Sequence, residues 1–156
     1  PDEIYSAGKE MFQLLTGAGF KPEEILFDTI TLGLATDSCM DGMGEMKATH
    51  TRNAFLGIQK IKQDPAMKGV RSVQGVSNWV YGVKKRRVGH IRAYIAVGQE
   101  YGLDGAICDA EKRYGVEPAP QELADLVRTF VSLDGSEDCL MTYSAAMQNA
   151  RQNDWL

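Results

Sequence analysis

Val70-Arg71-Ser72-Val73-Gln74-Gly75-Val76-Ser77-Asn78 is the stretch on which the fold turns. Residues 70–76 form a short, largely apolar and β-branched run that reads as a buried strand, closing on a glycine and two small polar residues. Helical spacing flanks it on both sides. Ahead of it, Phe55, Leu56, Ile58 and Ile61 predict a helix over 53–61. Behind it, Ile91, Tyr94, Ile95 and Val97 predict one over 88–101. Farther out, Ile25-Leu26-Phe27-Asp28-Thr29-Ile30 and Ala106-Ile107-Cys108-Asp109 read as two more short strands. Helices are expected over 4–15, 120–133 and about 137–149. The alternation implies an α/β fold of parallel β/α units, with right-handed crossovers and helices on both faces of the sheet.

Composition narrows the classes. The chain has 156 residues, 44% hydrophobic and 24% charged, so one domain with a packed core is expected and disorder is not. A complete eight-fold β/α barrel is excluded, because it needs roughly 200 residues or more. The net charge of -4 argues against nucleic acid or an anionic membrane surface as main partner. No apolar run approaches the ~18 residues of a membrane span, and residues 1–9 lack the basic and apolar regions of a secretory signal. Cys39, Cys108 and Cys139 lie far apart with no C-x-x-C, which disfavours disulfides or a zinc site and suits a reducing cytoplasm. His50 and His90 are the only histidines, so no multi-histidine metal site is expected and no metal ligands are assigned. Phosphate-cradling and serine-hydrolase motifs are missing.

In parallel β/α folds chemistry collects where strands end at their carboxyl side. Here those ends carry Asp28, Ser77-Asn78 and Asp109. A carboxylate at Asp28 can accept N–H groups of a heterocycle, or serve as a loop anchor or helix cap. Gly75 lets a ligand approach the backbone closely, and the Asn78 carboxamide donates and accepts without titrating. Lys84-Lys85-Arg86-Arg87 is the one dense basic run; it reads as a solvated start to a helix from which one residue can clamp an anion. The loop over 32–50 is long for a connection and holds Met40, Met43 and Met46. Its Asp37 and Asp41 echo a calcium loop only faintly, since Cys39 and Ala48 occupy ligand positions.

In order, Ile25-Leu26-Phe27-Asp28, then Gly75-Val76-Ser77-Asn78, then Arg86 eight positions on, then Gly102-Leu103-Asp104-Gly105-Ala106-Ile107 resemble the pterin-binding methyltransferases. These are the methyltetrahydrofolate:corrinoid-protein methyltransferases, related to the folate domain of cobalamin-dependent methionine synthase. The resemblance spans about residues 3–112 and weakens beyond. Related dihydropteroate synthases carry S-R-K where this chain has Ser77-Asn78-Trp79. His90 departs from the pattern, standing where many members have Asn, and so does the longer loop after Asp28, which looks most like methyltransferases of anaerobic demethylation systems.

The family's fold is a full eight-fold barrel, so the resemblance implies the C-terminal part of a TIM-type (β/α)8 barrel, as a single partial domain over 1–156. It implies methyl transfer between tetrahydrofolate and the cobalt of cobalamin on a partner corrinoid protein, within cytoplasmic one-carbon metabolism. By analogy Asn78 is catalytic, hydrogen-bonding the methyl-bearing pterin nitrogen. Asp28 accepts N–H bonds from the aminopyrimidinone ring. Gly75, Ser77 and Arg86 contribute to substrate binding, and Asp109 joins them with its role open. A homo-oligomer or a complementing N-terminal half is expected. The alternative is a non-catalytic half-barrel or a small α/β binding module.

Overall fold

A computed structural model describes residues 1–155; Leu156, the last position of the expected domain, lies outside the described residues. The five expected helices are present as α1 (Asp2–Gly17), α2 (His50–Gln63), α3 (Arg87–Glu100), α4 (Gln121–Ser132) and α5 (Cys139–Gln152). The three strands are β1 (Leu26–Asp28), β2 (Arg71–Gln74) and β3 (Gly105–Ala106). They are shorter than the apolar runs that announce them. After Asp28 the chain enters a left-handed conformation at Ile30, with φ of 59°. After Gln74 it winds into a 3-10 turn over Val76–Val80. After Ala106 one more ladder bond forms, Ile107 N–H to the Gln74 carbonyl at 2.8 Å, before Asp109 starts a second 3-10 turn.

The sheet is parallel, in the order β1-β2-β3, with Phe27 opposite Ser72 and Val73 opposite Gly105. Phe27, Ser72 and Gln74 point into the helical layer and are buried. The opposite face carries Leu26, 57% exposed, and Ile107, 61% exposed. The expectation that helices cover both faces is therefore corrected. Sequential strand order combined with right-handed crossovers brings α2 and α3 to the same side, and the other side stays open.

The main core lies between the helices and the turn after β2. Trp79 packs on Tyr94, with centroids 4.9 Å apart, and edge-on against Phe130 at 5.5 Å; Phe55 meets Tyr94 at 4.8 Å. A smaller cluster of Ile25, Phe27, Ile61, Met67 and Val70 sits under α1. There α1 and α2 approach so closely that a Cβ at Gly57 would lie 2.6 Å from Ile4 Cγ2. No described helix is long and apolar enough to cross a membrane.

The end of the described chain is clasped by His90. Its ring is fully buried, and Nε2–H donates to the Trp155 carbonyl at 3.1 Å. Burial holds the imidazole neutral, its pKa pushed down to about 4. The unfolded chain, with an ordinary histidine near 6.5, thus binds a proton that the folded chain refuses between those values. The contribution is complete above about pH 6.5 and is lost as pH falls towards 4, a swing of up to about 3 kcal/mol. His90→Gln keeps a donor for the carbonyl and removes the titration. Denaturant midpoints at pH 7 and 4.5 should converge in this variant relative to the parent; an identical pH dependence in both would refute the clasp's role.

Candidate functional site

Asp28 ends β1 with its carboxylate exposed. One oxygen, Oδ1, accepts the Ile30 N–H at 2.8 Å, so the loop-anchor role engages only one of the two oxygens. Ser77 and Asn78 are exposed on the 3-10 turn that follows β2, while Val76, Trp79 and Val80 of the same turn are buried. That alternation is what turns Asn78 outward: the apolar residues around it anchor the turn from below. Gly75 takes φ of -76° and ψ of 73°, which any residue can adopt. A Cβ there would make an ordinary contact with Asn78 Nδ2 at 3.6 Å, so the glycine leaves the space beside the carboxamide open without being sterically required.

Asp109 follows β3, exposed, and caps its turn by accepting the Glu111 N–H at 3.0 Å. Arg86 sits immediately ahead of α3 in a left-handed conformation. Its guanidinium bonds Glu122 at 2.5 Å and lies over the Trp155 ring, 6.0 Å from the centroid. Lys85 pairs with Asp154. The basic run is thus a solvated helix start, with Lys85 and Arg86 engaged by acidic neighbours.

Asp28, Ser77-Asn78 and Asp109 share the carboxyl edge of the sheet, but they do not line one cavity. Asp28 borders a cavity of about 240 Å³ with Thr29, Ile30, His50 and the α1 residues Ile4 and Met11. Asp109 borders one of about 220 Å³ beside β3, with Cys108, Ile95 and Tyr114. Cys108 is half-buried there. Neither cavity includes Gly75, Ser77, Asn78 or Arg86. Both fall below the roughly 300–1,000 Å³ of ordinary ligand pockets.

The long loop after β1 is secured by Asp37 and Asp41, the two carboxylates of the faint calcium-like spacing, in roles that spacing did not suggest. Asp37 is only 2% exposed, yet its carboxylate accepts three hydrogen bonds: His50 N–H at 2.7 Å, Thr51 N–H at 2.9 Å and Thr51 Oγ1–H at 2.6 Å. It caps α2 from 13 residues upstream, where charge and backbone donors meet favourably. Farther along, Asp41 Oδ1 accepts the Met43 and Glu45 N–H groups, which lower the carboxyl's pKa from its ordinary value. The calcium-like spacing therefore reflects a turn in which backbone amides occupy this oxygen. Gly33 carries the loop past the Asn78 turn: a Cβ there would lie 3.3 Å from the Asn78 carbonyl, and Leu34 N–H bonds the Trp79 carbonyl at 2.9 Å.

No family model and no curated protein sequence matches this chain.

Removing the Asp37 carboxylate strands three donors. Asp37→Ala should cost roughly 2–4 kcal/mol, and Asp37→Asn less, because it retains one acceptor. Chemical denaturation checks this; a loss in Asp37→Ala below about 0.5 kcal/mol would mean that the loop finds another cap.

Proposed function

We propose that the chain is the C-terminal part of a pterin-binding TIM-type barrel that transfers a methyl group between tetrahydrofolate and the cobalt of a corrinoid protein. One observation carries the reading. Three consecutive strands of one parallel sheet bring Asp28, Asn78 and Asp109 to the same carboxyl edge, and the Asn78 carboxamide is exposed beside a glycine. The donor and acceptor types suit a pterin. A carboxylate can accept the N–H groups of an aminopyrimidinone ring, and a carboxamide can face a ring nitrogen in either protonation state.

The corrinoid on the partner protein supplies a cobalt nucleophile when bound. This chain's residues prepare the leaving group. Asn78 would hydrogen-bond the methyl-bearing nitrogen and stabilise the proton that it takes up from solvent, so that the nitrogen is cationic when the C–N bond begins to break and departs as a neutral amine that keeps this proton. Asp28 fixes the ring's orientation through its outward oxygen. Ser77 and Gly75 shape the approach. Arg86 serves the substrate's polar edge only by exchanging Glu122 for it, and Asp109 stands at the next strand end with no role assigned.

The reading also calls for a partner. The two small cavities leave a pterin largely unenclosed, and an open face with Leu26 and Ile107 exposed needs further β/α units against it. A complementing N-terminal half or a second copy would supply these. The same open face favours the second reading, a non-catalytic half-barrel.

With corrinoid partner and any complement present, Asn78→Ala should slow methyl transfer by about 100-fold or more while folate affinity changes little. Equal losses in rate and affinity would reduce Asn78 to a binding residue. Asp28→Ala should weaken folate binding in calorimetry, and unchanged affinity would remove it from the site. For the chain alone, light scattering should show association or a loosely folded species; a cooperative, stable monomer would count against any need for a complement.

A further inference from the structure

We infer that His50 and Gln74 are positioning residues: they hold a strained turn at Ile30 and thereby fix the Asp28 carboxylate at the end of β1. The functional consequence rests on the reading of Asp28 as a ligand-binding group; the turn itself does not. Ile30 has φ of 59°. A β-branched residue in the left-handed region is a steric outlier, and such outliers persist only where the surroundings over-determine them. Core packing does not explain the choice of isoleucine, because its side chain is 59% exposed.

The surroundings grip both polar groups of this residue. Its N–H donates to Asp28 Oδ1 at 2.8 Å. Its carbonyl accepts from His50 Nε2 at 3.0 Å and, more weakly, from Gln74 Nε2 at 3.4 Å. Gln74 Nε2 also donates to Thr29 Oγ1 at 2.9 Å, so it ties down the residue between Asp28 and Ile30. The two grips come from different elements, the end of β2 and the first residue of α2. His50 is itself placed by Asp37, which accepts its backbone N–H. A chain of contacts therefore runs from the buried Asp37 through His50 and Ile30 to Asp28.

Gln74 is fully buried beside the Thr31 and Tyr94 hydroxyls. A buried amide needs partners, and its N–H groups find them at Thr29 and Ile30.

The test reads hydrogen exchange at the Ile30 amide, which needs no ligand. His50→Ala should speed that exchange about tenfold or more, and His50→Gln, which restores a donor of similar reach, should slow it again. Ile30→Gly should leave the melting temperature unchanged or raise it, since glycine relieves the backbone strain. Unchanged exchange in His50→Ala, no rescue by His50→Gln, or a fall of more than about 5 °C in Ile30→Gly would each overturn the inference. In the same samples, folate titration should show His50→Ala binding about tenfold more weakly than the parent, with His50→Gln near the parent. Equal folate affinity in His50→Ala and parent would also overturn the positioning role. If the parent itself binds no folate, the methyltransferase reading fails, while the exchange and melting results still decide the turn.

Discussion

Three parallel strands laid side by side in chain order constrain everything else in this molecule. Each crossover must be right-handed, so each connecting helix falls on the same side of the sheet. From that follow the one-sided helical layer and its aromatic core of Phe55, Trp79, Tyr94 and Phe130. The same constraint gathers all three strand ends at one edge and leaves the face of Leu26 and Ile107 without cover. The sheet holds only short ladders, two residues long in β3. Most of the cohesion therefore comes from helix packing, with α4 set against both α2 and α3.

Electrostatics enters where helix packing cannot reach, in the long connection from β1 to α2. A buried carboxylate is costly unless donors surround it, and Asp37 has three. One side chain thus ends the loop, starts the helix and orients the histidine that reaches back to Ile30. Thr49 adds a second tie, its hydroxyl donating to the Phe130 carbonyl at 2.6 Å. The loop is held at both of its ends, and Met43 projects from the turn between them, 85% exposed.

Much of this was legible in the amino-acid order and some was not, for identifiable reasons. The helices were readable because apolar spacing such as Leu123, Leu126, Val127 and Phe130 reports a single buried stripe. The strands were readable as positions but not as lengths: Cys108 and Asp109 look like strand residues, yet Asp109 is already capping a turn. Coverage of the sheet was misread because an apolar strand reports that its face avoids water, not what covers it. Leu26 and Ile107 satisfy the pattern whether helices or further strands are meant to lie there. Of the candidate site, Asp28, Asn78 and Asp109 were visible from strand-end logic. Asp37, His50 and Gln74 were not, because their partners lie 13 to 45 residues away and no local spacing announces such contacts.

The size of the cavities and the openness of the sheet bear on the same point. A pterin needs walls on several sides, and neither 240 nor 220 Å³ supplies them. The strand-end polar groups themselves are placed by the fold: a strained turn holds Asp28, a 3-10 turn anchored by Trp79 presents Asn78, and Gly75 lies beside it. Rigid placement of a few polar side chains is the part of a binding site that must be specified residue by residue. Enclosure can come from any apolar layer of suitable shape. On the proposed reading, the specific contacts would lie within the chain's own strand ends and enclosure would come from a partner on the face of Leu26 and Ile107.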